Sequence, residues 1–163
     1  MKFGLLLFCF YQYLLYYYQP INHMYYEPWK FKFDEVEPIK RKITVVAVDF
    51  DNTIAYTKYP KIIKPLPYAI DVLKFLMNDP YTILILWTCR EKEDLQDALN
   101  WLEVHNVRFD YVNENCKELM ELYGNDTRKI GADIYIDDKS YQGIEGVEKL
   151  WKDWWSFINE NCK

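Results

Sequence analysis

The polarity pattern changes character at Ile43. Residues 43–48 read ITVVAV, an unbroken β-branched run that fits a strand buried on both faces, and it stops at Asp49. A loop carrying Pro60, Pro65 and Pro67 follows. Ala69, Val72, Leu73 and Leu76 then recur at helical spacing until Asn78-Asp79-Pro80 ends them, which predicts a crossover helix. Residues 81–87 (YTILILW) form a second buried strand, and Leu95, Ala98, Leu99 and Leu102 mark a second helix opened by the charged positions 91–94. A short third strand over 109–112, a short helix over about 115–123 ending at Gly124-Asn125, and a fourth strand over 134–136 come next. Val147, Leu150, Trp151, Trp154, Trp155 and Ile158 stand at helical offsets in a last helix, one stripe suited to docking on the core.

Strands alternating with helices imply βαβ units with right-handed crossovers, hence a three-layer α/β/α, Rossmann-like domain around a mostly parallel central sheet. In such sheets ligands sit beyond the carboxyl ends of the strands. The residues there are Asp49-Phe50-Asp51, Thr88-Cys89-Arg90, Asn113-Glu114-Asn115 and Asp137-Asp138. Carboxylates, a hydroxyl and a guanidinium are thus drawn to one rim. Carboxylates crowded together raise one another's pKa unless a positive charge sits among them, and oxygen ligands without histidine suit Mg²⁺ with a phosphate oxygen in its open position. In the D-x-D pair, Asp49 and Asp51 both reach the crevice if the chain curls; one can attack and the other can donate a proton.

Composition narrows the classes. The 163 residues suffice for one ordinary domain, and with 50% hydrophobic and 28% charged residues the chain is globular. A net charge of -5 gives no general pull toward nucleic acid or anionic membrane. Cys9, Cys89, Cys116 and Cys162 are scattered, and with only His23 and His105 a zinc finger is excluded; reduced thiols in a cytoplasmic setting are expected. A cysteine phosphatase needs Cys-x5-Arg, which is absent, as is Arg-His-Gly. Residues 3–18 carry no charge but are short for a spanning helix and rich in tyrosine. They read as an anchor or signal contacting a membrane, or as an extension upstream of a start at Met24. Residues 1–20 are thus an apolar extension, 21–42 a proline-spaced tether, and 43–163 the domain.

The strand-end residues resemble the four motifs of the haloacid dehalogenase-like (HAD) superfamily, over about residues 43–145. The likeness is to its small phosphatase-type members. It is carried by Val48-Asp49-Phe50-Asp51-Asn52-Thr53-Ile54, Lys64-Pro65-Leu66-Pro67, residues 84–90 (LILWTCR) and residues 132–138 (ADIYIDD). The resemblance implies that Asp49 is a nucleophile taking the phosphoryl group and that Asp51 is the acid/base, its backbone carbonyl also binding metal. Thr88 and Lys129 would hold phosphoryl oxygens, while Asp137 and Asp138 would join Asp49 and Asp51 around Mg²⁺. Asn52, Thr53 and Arg90 fall to the substrate side, although Arg90 could equally pair with Glu91 or Asp94. Asn52 replaces the usual glycine of the motif, and Asn tolerates the positive φ of that turn.

Superfamily members insert cap domains after the first or third strand. Here those gaps, about 52–65 and 113–132, are too short, so no cap domain and an open crevice are expected. A Mg²⁺-dependent phosphatase acting through an aspartyl-phosphate on a small-molecule phosphomonoester is the leading expectation, with a neighbouring subunit of a homo-oligomer helping to bind it. The alternatives are a nucleic-acid end-phosphatase or 5'-nucleotidase using Lys40-Arg41-Lys42, Lys58, Lys61 and Lys64 as a basic lip, and a non-catalytic module that holds a phosphorylated partner.

Overall fold

The β-branched run forms strand β1, Thr44–Val48, and the later apolar runs form β4, Thr82–Leu86, and β6, Ile134–Ile136. In the computed structural model they join a two-residue strand, β5 (Tyr111–Val112), in a parallel sheet of order β5-β4-β1-β6. The structure describes residues 43–140 and 142–161, and all of these but Asn161 belong to a compact unit spanning Arg41–Glu160. The expectations for residues 1–20 and 21–42, including membrane contact through 3–18, lie outside the described residues. Among those described, no helix is long and apolar enough to cross a membrane.

Among the described residues four helices follow the strands: α1 (Ala69–Met77), α2 (Lys92–Val104), α3 (Lys117–Tyr123) and α4 (Gly143–Asn161). The two faces of the sheet are separable by parity, since successive strand residues point to opposite sides. Val45, Ala47 and Ile85 pack with Cys116, Leu119 and Ile130, which places α3 on one face. Val46, Val48, Leu84 and Leu86 turn the other way, as does Phe50, whose ring meets Trp101 of α2 edge-on at 5.6 Å. Val45, Val46, Val48, Leu84, Ile85 and Leu86 are essentially sealed from water, worth roughly 1.5–3 kcal/mol apiece. The fold is a three-layer α/β/α arrangement, with no cap domain among the described residues.

The stripe on α4 docks through Val147, Trp151 and Trp154, all buried, and Trp151 meets Trp154 edge-on at 6.0 Å. Two departures from the sequence reading stand out. The segment read as a proline loop is an antiparallel hairpin, β2 (Ala55–Lys58) with β3 (Lys61–Pro65). Its prolines sit at the turn and at the strand end, where no ladder donor is needed, so they do not break it. The third strand is shorter than residues 109–112, because Asp110 uses its carboxylate to accept from the Leu84 N–H at 2.8 Å.

Candidate active site

In chain order the four parallel strands lie 3-2-1-4, so the direction of sheet construction reverses between β1 and β6. In open parallel sheets such a switch point, at the strands' carboxyl ends, is where ligands are held. The register Val48↔Ile136 places Asp49 beside Asp137 on neighbouring strands, and the Asp49 N–H donates to the Ile136 carbonyl at 2.9 Å, extending the ladder by one step. Asp49, Asp137 and Asp138, all half-buried, each offer one carboxylate oxygen within 4.8 Å of the others. Of the residues sequence reasoning set at this rim, Asp49, Asp137 and Asp138 are brought together here, from segments nearly 90 positions apart.

A tight turn curls the chain after β1. The Phe50 carbonyl accepts from the N–H groups of Thr53, Ile54 and Ala55, and Asn52 takes the positive φ of 55° that its side chain tolerates. Thr53, fully buried, ties the turn to β6: its hydroxyl lies 3.4 Å from Asp49 Oδ2 as donor and accepts from the Asp138 N–H at 2.9 Å. The Thr53 carbonyl in turn accepts from Trp151 Nε1 at 2.7 Å, so α4 anchors the turn from behind. Thr53 therefore acts on the carboxylates rather than opening toward a substrate.

Burial pushes the Asp49 carboxyl up to about 7; the charges of Asp137, Asp51 and Asp138 add to the rise, and a bond from the Phe50 backbone opposes it. Oxygens around one Mg²⁺ at 2.0–2.1 Å stand about 2.9–4.2 Å apart, so side-chain rotations of about an ångström would let these three carboxylates share a hard divalent cation.

Asp51 does not join that trio. Both its oxygens face Arg90, with Nε to Oδ2 and Nη2 to Oδ1 each at 2.8 Å. The sequence offered Glu91 or Asp94 as partners for Arg90, or a substrate; the carboxylate that pairs with it is Asp51, and Asp94 contributes only its backbone carbonyl, 3.3 Å from Nη1. Thr88 is buried at the end of β4. Its N–H donates to Asn113 Oδ1 at 2.8 Å and its hydroxyl oxygen accepts from the Arg90 N–H at 3.2 Å, so the hydroxyl hydrogen is not spent on that bond.

Lys129 is exposed, its ammonium 5.2 Å over the ring of Tyr135, two residues ahead of Asp137. The lysine that touches the carboxylates is Lys139. Its ammonium meets Asp138 Oδ2 at 2.5 Å and its N–H donates to Asp137 Oδ1 at 2.7 Å. The ammonium's bond to Asp138 raises its pKa, and the charges of Asp138, Asp49 and Asp137 act in the same direction. Sequence reasoning missed Lys139, and the only available signal was its position directly after the aspartate pair. It also missed the work of Asn113, which at a φ of 54° steers the Thr88 backbone, and of buried Asn115, whose amide binds Asp126 and Thr127 and accepts from the Gly131 N–H.

No protein-family model matches the chain, and neither does any curated protein. A solved structure is similar to it: a conserved protein of Bacteroides thetaiotaomicron, 34% identical, with a TM-score of 0.55, over 69% of this chain and 92% of that one. At that identity, with nearly the whole of the other protein covered, the chain belongs to the same family as this conserved Bacteroides protein.

Proposed function

We propose that the chain is a Mg²⁺-dependent phosphatase of the HAD-like type, hydrolysing a phosphomonoester through an aspartyl-phosphate at Asp49. The observation that carries this reading is the meeting of Asp49, Asp137 and Asp138 at the switch point of the sheet. Bound among them, Mg²⁺ would offset the charge of the carboxylates and of the phosphoryl group in transfer. An Asp49 oxygen attacks phosphorus as the bond to the leaving oxygen breaks, and the proton of Asp51 goes to that oxygen, releasing an alcohol. Water then attacks the phosphorus and gives a proton to Asp51; the bond to Asp49 breaks and inorganic phosphate leaves. The Thr88 hydroxyl and a lysine, 129 or 139, hold phosphoryl oxygens while charge is redistributed.

A second reading keeps this chemistry and makes the substrate a phosphorylated nucleic-acid end. It is favoured by the hairpin: residues 55–65 include Lys58, Lys61 and Lys64 and no acid, in a chain of net charge -5. All three are exposed, Lys58 and Lys61 stand directly opposite each other, and none forms an ion pair with a described residue. Like charges facing each other cost stability, which a polyanion would relieve.

Hydrolysis of p-nitrophenyl phosphate with Mg²⁺, compared between the wild-type chain and Asp49→Asn, tests the main reading. Wild-type turnover that disappears in the variant is expected. Equal rates would remove Asp49 as nucleophile, and inactivity of the wild-type chain on a broad phosphoester panel would leave a phosphate-binding module in its place.

A further inference from the structure

We infer that Arg90 is the positioning residue of Asp51 and not a ligand of the substrate. The inference rests on the phosphatase reading, in which Asp51 is the acid/base. Arg90 is 1% exposed, and its guanidinium is enclosed between rings, 5.0 Å from the centre of Phe50 and 5.3 Å from that of Tyr59. Its donors are spent within the protein: two on Asp51, one on the Pro60 carbonyl at 3.0 Å and one on the Asp94 carbonyl at 3.3 Å. A guanidinium has five N–H donors, so at most one remains, with no open face from which to grip a phosphate. Asp51 is the reverse case, a side chain 24% exposed at the crevice whose orientation is set entirely from its buried side.

The planar fork fixes both carboxylate oxygens at once, as a lysine cannot. It also ties the acid/base to two other elements. Through Pro60 it holds the turn of the β2–β3 hairpin, and through Asp94 the first turn of α2, while Tyr59 closes over it by donating its hydroxyl to Asp94 Oδ2 at 2.7 Å. The hairpin therefore serves as the seat of Asp51. Proton delivery demands a donor held to within a fraction of an ångström, and Arg90 supplies that constraint from outside the substrate site.

The test compares two phosphomonoesters on the full chain with Mg²⁺. An alkyl phosphate needs a proton on its leaving oxygen; p-nitrophenolate departs without one and its first-turnover burst reports attack by Asp49 alone. Arg90→Lys is expected to lower kcat for the alkyl ester about 10²-fold, to leave KM within about twofold, and to spare most of the burst. Combining it with Asp51→Asn should add nothing beyond Asp51→Asn itself. A tenfold or larger rise in KM for both esters with kcat kept, or additive losses in the double variant, would overturn the inference. Should Arg90→Lys fail to fold, Tyr59→Ala decides, because that ring is 62% exposed and outside the core: a loss of threefold or more in alkyl-ester kcat supports the seat, and an unchanged kcat refutes it. A wild-type chain inert toward both esters would instead sink the phosphatase reading, so the two failures are distinguishable.

Discussion

The high pKa of Asp49 makes the stability of the metal-free protein depend on pH in a direction opposite to that of most paired carboxylates. Its carboxyl is raised from 3.8 to about 7, first by burial and then by Asp137, Asp51 and Asp138. Between those values the folded chain keeps a proton that the unfolded chain has released, so stability falls as pH rises. The contribution is complete below about pH 4 and gone once the pH has passed about 7. At ~1.4 kcal/mol for each of about three pH units, it amounts to something on the order of 4 kcal/mol, a large fraction of the 5–15 kcal/mol by which domains are typically stable. Asp49→Asn keeps the shape and removes the charge. Chelator-treated wild-type and variant chains melted between pH 4 and pH 8 should therefore diverge: nearly level at pH 4, with the variant ahead by roughly 10 °C at pH 8. Taking the difference between the two chains cancels the titrating groups that do not interact with Asp49. Mg²⁺ added at pH 8 should restore the wild type and do little for the variant, since one of three carboxylates is missing. A difference between the chains that does not change with pH would show that Asp49 is not strained by burial and its neighbours, and equal shifts of both chains by Mg²⁺ would remove Asp49 from the cation site.

Three further outcomes are expected. Lys139 already spends its charge on Asp138, so Lys129→Met should lower kcat about 10²-fold or more while Lys139→Met costs much less; the opposite ranking in steady-state kinetics would transfer the phosphoryl-holding role to Lys139. Trp151→Phe deletes the bond to the Thr53 carbonyl and part of a fully buried ring. It should cost about 2–4 kcal/mol in urea denaturation and weaken Mg²⁺ binding measured calorimetrically, because Thr53 holds both Asp49 and Asp138; a loss of stability with unchanged Mg²⁺ affinity would separate α4 from the site. Reversing Lys58, Lys61 and Lys64 to Glu should flatten the salt dependence of binding to a 5'-phosphorylated oligonucleotide, by about 0.7 in log-log slope for each phosphate that is no longer neutralised. An unchanged slope would return the hairpin lysines to the task of keeping an exposed strand edge from pairing.

Much of the architecture is legible in the chain because buried parallel strands announce themselves. Residues 43–48 and 81–87 are apolar without alternation, and only a strand covered on both faces tolerates that. The same logic located the rim, since each run ends abruptly in polar residues. It failed at the hairpin, where AYTK and KIIKP carry three lysines and exposed Tyr59 and Ile63 flank them. A two-stranded ribbon exposed on both edges needs no buried face, so it leaves no hydrophobic period to read.

The pairing of Asp51 with Arg90 was out of reach for a different reason. Along the chain Arg90 has Glu91 beside it and Asp94 one helical turn away, and by proximity either is the better partner. What decides otherwise is register. Val48 and Leu86 are opposite residues on adjacent parallel strands, so the chain leaves β1 and β4 at the same level, and Asp51 and Arg90 emerge three and four residues later into the same space. Glu91 is already exposed as the extended residue that precedes α2, and Asp94 has turned its carboxylate to Tyr59. A sequence records spacing within a strand but not alignment between strands. The carboxylate trio survives that ignorance because its members sit directly at strand ends. A pair formed in the loops beyond depends on an offset that only the folded sheet supplies, and for that reason the interaction that seats Asp51 is visible only in three dimensions.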